Sequence, residues 1–504
     1  MLMIIFSMRG IKYHYLTSLF DLCSLSCAIK GTNGKHLHEN QSMLHFLFHP
    51  ILNSLAIENF GLTILYLMEK QGSFKSLMPL MVFIFSFLGI GILLDDFYAL
   101  PAPIAVILGI IVAFALFSDS LEEKTKQLVE GCGDSKVMTM GIIYLLAGAF
   151  AIVSKQMGAV DSVVNFGLDF ISVQYLPVGV FLIASFLSIA TGTSVGSIVA
   201  LGPIVVGLAD RSGTSLALMS ATLLGGAMFG DNLSIISDTT IAATQSLGVN
   251  MKDKFRANVY IALPAAIVTV VLLLIFGLTK DLSGIEALTG NGEYELVKII
   301  PYLLVIILAV MGVPVFHVLI IGIIVSGLMG ISFDSFTVMG FAKTTYKGFE
   351  GMTEVFLLAL FSGGLAALTA HDGGINYTLR KVKEWVKGKK SAQFGLGVLI
   401  GITNLAIANN TVTLLITGDI SKEISESYGV DKRKAAALID IFSCIVQGLL
   451  PYGAQVLILL KFTDGRLNFF DLAGHVWYLY LLLIFVDLAI VIKPWDKKIS
   501  AMAE

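Results

Sequence analysis

The stretch GGAMFGDNLSIISDTTIAAT, Gly225 to Thr244, sets two aspartates, an asparagine and a series of hydroxyl residues inside a segment apolar enough to lie in a membrane. A charge at that depth is costly, so an acid placed there marks an ion or proton path. A second stretch, SCIVQGLLPYGAQ from Ser443 to Gln455, carries a Gly-x-x-Pro-Tyr-Gly interruption at matching depth. Gly230 and Gly448 are separated by 448 − 230 = 218 residues, and Thr193 and Thr411, in two further polar interruptions, by 411 − 193 = 218. One spacing shared by two independent sites predicts two copies of one membrane unit.

Composition fixes the solvent. With 56% hydrophobic and 14% charged residues over 504 positions and a mean hydropathy of +0.85, too few polar side chains remain to cover a water-soluble particle. A lipid bilayer is therefore the first partner. The net charge of −3 is spread over short loops and forms no basic face, so no nucleic-acid partner is expected. Cys23, Cys27, Cys132 and Cys444 lack CxxC pairing and read as free thiols. No nucleotide loop or cofactor motif occurs, and a homo-oligomer is compatible with the composition.

Residues 1–67 read as a poorly structured or peripheral extension, because Pro50, Asn53, Glu58 and Asn59 interrupt their longest apolar run. Beyond them, apolar runs of membrane-spanning length fall near 78–94, 101–118, 137–153, 215–247 (broken) and 257–279, and again near 296–312, 314–330, 352–370, 436–460 (broken) and 474–492. Between the third and fourth runs of each set, 177–209 and 393–416 read as re-entrant hairpins. The predicted fold is an all-α polytopic membrane protein. It comprises two inverted-topology repeats, 78–279 and 296–492, each of about five transmembrane helices plus a re-entrant hairpin, with broken helices at the midplane, followed by a cytoplasmic tail over 493–504. Lysine and arginine support this layout: from Lys70 onward, 21 lie in loops drawn inside and 8 in loops drawn outside. Five crossings per copy invert the second copy.

Helix breaks expose backbone groups that lipid cannot satisfy, so they persist where they line a wet cavity or bind a solute. The candidate ion- or substrate-binding residues are Thr191, Thr193 and Ser194 in the first hairpin and Asp231, Asn232, Ser234, Ser237, Asp238 and Thr239 in the first broken helix. The second copy supplies Asn409, Asn410 and Thr411 from its hairpin and Tyr452 from its break. Sodium is a hard cation that takes oxygen ligands, which these side chains and freed carbonyls provide. Asp231 and Asp238 are the expected Na+ carboxylates. Seven residues apart, they would share one face of an unbroken helix at ~10 Å, and unwinding between them would turn both toward one cavity.

The run Phe229-Gly230-Asp231-Asn232-Leu233-Ser234-Ile235-Ile236-Ser237-Asp238-Thr239-Thr240, with Thr191-Gly192-Thr193-Ser194 upstream, resembles the signature of the NhaC-type sodium/proton antiporter family, within the ion-transporter superfamily. The resemblance covers roughly Met78 to the C-terminus. It implies a multi-pass protein of the bacterial cytoplasmic membrane that exchanges Na+ for H+, with Asp231, Ser234, Ser237, Asp238 and Thr239 at the ion site. Asn232 stands where that family commonly has a basic residue, and Ile236 where proline is common.

An antiporter needs one shared acid at which proton and metal ion exclude each other, and Asp231 is the expected group. A Na+- or H+-coupled amino-acid or carboxylate transporter is the main alternative, since Asn409, Asn410 and Tyr452 suit an organic headgroup equally well. An intramembrane aspartyl protease would need a Gly-x-Gly-Asp motif, but Met228 breaks that pattern. Duller roles stand beside these: Gly225, Gly226 and Gly230 as helix contacts, Asp238 as a helix cap, and Asp440 and Asp487 as acids near span ends reaching headgroups. Glu354 reads as a surface residue, and Lys155 and His371 as residues near cavity mouths.

Overall fold

The computed structural model describes residues 72–94, 100–279 and 294–492. The expected extension over 1–67 and the tail over 493–504 lie outside the described residues. Within them the chain is helical, with no strand. The first half contains α1 (Met78–Leu93), α2 (Ala102–Leu116), α3 (Leu121–Cys132), α4 (Ser135–Gln156), α5 (Ala159–Phe170), α6 (Leu176–Thr191), α7 (Ser194–Ser212), α8 (Leu216–Leu233), α9 (Asp238–Leu247) and α10 (Met251–Thr279). The second contains α11 (Ile300–Val310), α12 (Val315–Ser332), α13 (Val338–His371), α14 (Gly374–Trp385), α15 (Lys389–Ile407), α16 (Asn410–Ser427), α17 (Lys432–Gly448), α18 (Ala454–Phe462), α19 (Phe469–Ala473) and α20 (Trp477–Val491).

Among the described residues, eight helices are long and apolar enough to cross a bilayer, and α2, the segment Leu296–Val310 and α20 are shorter apolar helices. Each predicted span coincides with one of these or with a broken pair. The sequence reading omitted α3, α5 and α14, which mix charged and apolar residues and therefore leave no continuous apolar run. It also started α13 too late, because the polar turns before Met352 continue the same helix.

The element order recurs, with α13 standing for α3 plus α4 and α19 as an addition. The recurrence corrects the spacing. Thr193 caps α7 and Asn409 caps α16, a separation of 409 − 193 = 216, and α9 and α18 begin at Asp238 and Ala454, also 216 apart. Glycine matching had misled by two residues, because Gly230 lies within α8 whereas Gly448 ends α17.

Local chemistry explains the breaks. α6 stops and α7 restarts within two residues, which requires a left-handed residue at the turn; Gly192 provides it at φ 68°. In the second hairpin Ala408 takes the same role at φ 53°, a conformation that costs a residue with a Cβ about 1 kcal/mol. The side chain of Thr193 then accepts from Gly196 N, and that of Asn409 from Val412 N, which pairs amides otherwise orphaned at the new helix starts.

Close helix contact uses small residues, since lipid supplies no hydrophobic drive between helices. A Cβ on Gly226 would meet Phe181 O at 2.5 Å, and one on Gly230 would meet Ser185 O at 2.4 Å, so α8 lies directly on α6. From Ala217 to Leu233 every residue of α8 is buried, which makes it the central helix of the assembly.

The α4–α13 crossing is equally tight: a Cβ on Gly348 would fall 2.4 Å from Ala149 Cα and 2.5 Å from Ala149 N, both backbone atoms that cannot swing aside. Gly348→Ala is therefore expected to lower the thermal unfolding midpoint of the detergent-purified protein, by the equivalent of about 1–3 kcal/mol. Gly351→Ala, with nothing within 4 Å of its Cβ position, leaves the midpoint level or slightly raised. Equal midpoints for the two variants would contradict this packing.

Candidate functional site

The site forms where α8 ends. Ser234 N bonds back to Gly230 O at 2.9 Å, after which residues 235–237 leave the helix and Ser237 caps α9. A helix end exposes carbonyls, and those of Asn232 and Ser234 in this break find donors. Asn232 O accepts from Lys254 Nζ at 3.0 Å and from Asn258 Nδ2 at 2.7 Å, while Ser234 O accepts from Thr240 Oγ1 at 2.7 Å. Ser234 in turn donates to Ile189 O of α6 at 2.8 Å. The break is thus a built feature with few backbone groups left unpaired.

Asp231 occupies the last turn of α8 and is 4% exposed. Its Oδ2 accepts from Ser194 Oγ at 2.7 Å and from Ser194 N at 3.3 Å, and its Oδ1 accepts from Ser237 Oγ. The carboxylate therefore faces the N-terminus of α7, where backbone amides and helix dipole favour negative charge. Ser237 also contacts Thr239 Oγ1 at 3.0 Å. Among the described residues, the hydrogen-bond partners of Asp231 carry no positive charge. Its field is softened only by hydroxyls and one amide.

A polar chain runs from here to the second break. Gln455 Nε2 donates to Ser194 Oγ at 3.0 Å, and Gln447 Nε2 donates to Gln455 Oε1 at 3.0 Å and to Ala408 O at 3.3 Å. By the 216-residue spacing Gln447 is the counterpart of Asp231. A carboxylate therefore stands at one break and a neutral amide at the other.

Asp231 forms part of a cavity of about 230 Å³ that gathers most of the predicted residues: Thr193, Ser194, Ser237, Asp238, Thr239, Asn409, Asn410 and Thr411 all line it. Lys136 and Thr139 of α4 add an exposed rim. Asp238 is exposed there as the first residue of α9, and the cap is Ser237, not Asp238. Four predicted residues lie elsewhere. Asn232 turns to the opposite side of α8, Ser234 ties the break to α6, and Thr191 Oγ1 reaches only Thr193 O at 3.5 Å. Tyr452 donates to Leu405 O at 2.6 Å and lines a separate cavity of about 50 Å³, shared with Asn409, Asn410, Gln447 and Gln455.

The sequence reading missed the centre of the opposite face. Lys254 and Asp440 form an ion pair at 2.6 Å with side chains 1% and 0% exposed. Asp440 Oδ2 also accepts from Asn232 Nδ2 at 2.8 Å and from Asn258 Nδ2 at 3.2 Å, and Lys254 donates to Thr240 Oγ1 at 2.7 Å. Asp440 is therefore buried midway along α17 and paired inside the protein, not free to reach headgroups. The available signal was spacing: Lys254, Asn258, Ile261 and Ala265 share one buried stripe of α10, so Lys254 belongs to the span and not to the loop before it.

A larger cavity of about 690 Å³ lies at the other end of α4, α7 and α18, lined by Lys155, Asp210, Arg211, Lys461 and Asp464 among others. Glu354 pairs with Lys461 beside it, and Arg466 pairs with Asp210 at 2.6 Å. His371, expected near a mouth, instead lies 3.6 Å from Asp119. Between the two cavities α7 is buried from Ile198 to Gly202, and Phe462 sits against Gly202, where a Cβ would come within 2.4 Å of the ring.

Residues 36–278 and 285–493 match the model of the Na+/H+ antiporter family. The chain is 22% identical over 415 residues to the malate-2H(+)/Na(+)-lactate antiporter of Bacillus subtilis, covering 76% of this chain and 88% of that protein. It is 24% identical over 345 residues to the Na(+)/H(+) antiporter NhaC of Alkalihalophilus pseudofirmus, covering 62% and 73%. The arginine/ornithine antiporter ArcD of Halobacterium salinarum is 22% identical over 428 residues, covering 77% and 85%. Among solved structures, the Alcanivorax borkumensis YdaH transporter aligns with a TM-score of 0.37 and 14% identity over 74% of this chain and 89% of that one.

Breaking the Lys254–Asp440 pair leaves one buried charge bare. Lys254→Met is expected to destabilise the purified protein by about 3–5 kcal/mol, whereas Lys254→Met combined with Asp440→Leu costs markedly less. Additive losses in a thermal-unfolding cycle would contradict a closed pair.

Proposed function

The chain belongs to the Na+/H+ antiporter family, and from that premise we propose that it exchanges Na+ for H+ across a bacterial cytoplasmic membrane, with the Asp231 carboxylate occupied by each in turn. The observation that carries the reading is a buried acid facing only hydroxyls and an amide, at the floor of a cavity with an exposed rim. Burial penalises a bare carboxylate, so the group is most stable when it holds something positive. A proton or a sodium ion meets that need, and both cannot occupy one oxygen pair. Their exclusion couples the two fluxes.

The hydroxyls suit both states. Ser194 and Ser237 donate to the bare or singly protonated carboxylate, and each can rotate to present a lone pair to a cation. With Thr239 they form the oxygen set that a hard monovalent ion takes. Asp238, exposed at the rim, is suited to concentrating hydrated cations at the entrance while Asp231 holds the dehydrated ion.

Alternating access follows from two cavities at opposite ends of the same helices. We assign the Asp231 cavity to the cytoplasmic side, because Lys136 at its rim and the arginine and lysine clusters of the sequence support that orientation, with the C-terminus cytoplasmic. The recurring element order supports inverted repeats that exchange roles as the site is exposed first to one side and then to the other. One feature favours the organic-solute alternative as second reading: about 230 Å³ exceeds what a lone ion fills, and Asn410, Thr411 and Lys136 can hold a small carboxylate.

Asp231→Asn preserves shape and hydrogen bonding to Ser194 while removing the shared charge. In liposomes with an internal pH dye, sodium alone dissipates an imposed pH gradient for the native protein, and the variant falls to the protein-free rate while its detergent elution profile is unchanged. Native-like exchange by the variant would refute the proposal. An absolute requirement for an added carboxylate or amino acid would favour the second reading.

A further inference from the structure

Three side chains that ordinarily ionise are buried around the α8–α9 break: Asp231, Lys254 and Asp440. The other buried charges among the described residues, Lys124 and Lys434, lie near helix ends and donate to backbone carbonyls, Lys124 to Phe114 and Phe117 and Lys434 to Ala489. Two further groups lie near Asp440, the Cys444 thiol of α17 and the Tyr478 hydroxyl of α20, both buried. Asp238 is exposed at the cavity rim.

Asp231 and Asn232 are consecutive, so their side chains leave α8 about 100° apart. Asp231 faces the cavity, and Asn232 faces Asp440. Resting on the exchange reading above, we propose that Lys254 and Asp440 form a charge-compensating pair that retains one proton throughout transport, so that Asp231 is the single exchangeable buried charge and one Na+ moves per H+ without net charge movement.

The pair carries the same net charge whichever partner holds the proton. Ammonium with carboxylate and amine with carboxylic acid both contain one shared proton and sum to zero. Adding a second proton leaves a bare cation whose hydrogen-bond partners among the described residues, Asn232 O and Thr240 Oγ1, include no anion. Removing the first leaves a bare anion, whose Oδ2 would lose its strongest donor while Oδ1 has no partner among the described residues. Either change carries the desolvation cost of an unpaired interior charge. The pair also serves structure, because Lys254 and Asn258 hold the freed Asn232 carbonyl. Opening it would release the break itself.

With the pair closed, Asp231 with Na+ and Asp231 with H+ give the same net charge at the core. Each half-cycle then crosses the membrane field as a neutral unit, and the membrane potential does no work on it.

The test is a null-point measurement on native protein in liposomes, with sodium and pH gradients opposed and the potential clamped by potassium and valinomycin. Flux is expected to vanish when a tenfold sodium gradient meets about one pH unit, at any clamped potential. A cycle moving one net charge would instead shift the balancing sodium gradient about fiftyfold per 100 mV, and that result overturns the proposal. Asp440→Asn, which strands the Lys254 charge, is expected to make the exchange rate depend on the clamped potential. A folded, transporting Asp440→Asn protein whose rate ignores potential also overturns it. Loss of sodium-dependent flux in Asp231→Asn, or its persistence, bears on the exchange reading alone, so the two failures are distinguishable.

Discussion

The structure depends on how one turn of α8 divides its charges. Asp231 points into a cavity where hydroxyls and a helix N-terminus are its partners, and the next residue points into a closed ion pair. A lone buried carboxylate seeks a cation, whereas the pair behind it is already satisfied. That contrast separates the group that exchanges from the groups that hold. Were Lys254 to reach Asp231 directly, the acid would be neutralised by the protein and would have little need of sodium.

The break that allows this arrangement is costly in lipid unless every freed backbone group is tied. Lys254 and Asn258 tie Asn232 O, Thr240 ties Ser234 O and Ser234 ties Ile189 O, so the charge pair and the helix break stabilise each other. The Gln447–Gln455–Ser194 chain then joins this break to its counterpart in the second half. Cavities at both ends of α4, α7 and α18, with Phe462 against Gly202 between them, give the exchange reading its two sides.

Much of this was legible in the sequence because a membrane forces long apolar runs, and interruptions in them stand out. The spans and both broken helices fall where hydropathy placed them, whereas the second helix pair runs past its expected end at residue 416, since α16 continues to Ser427. Asp231, Ser194, Ser237 and Asn410 converge because polar residues in breaks have little choice but to face a cavity. Facing was the information missing elsewhere. Asn232, Ser234 and Thr191 share the same motifs, yet helical rotation and backbone pairing turn them away. Tyr452 reaches a neighbouring cavity instead, since its hydroxyl is fixed on Leu405 O. Lys254 was read as loop because its charge resembles the adjacent Lys252 and Arg256, and only the stripe it shares with Asn258 reveals that it is buried. Asp440 needed a partner 186 positions away along the chain (440 − 254) to make sense of its depth.

Competition between proton and sodium at one carboxylate is the central claim, and proton release on binding measures it most directly. Sodium added to detergent-purified native protein in weakly buffered solution, at a pH where the acid is protonated, should release about one proton per Na+ bound, with apparent affinity rising with pH. Sodium that binds without releasing protons, or with an affinity indifferent to pH, would contradict the account.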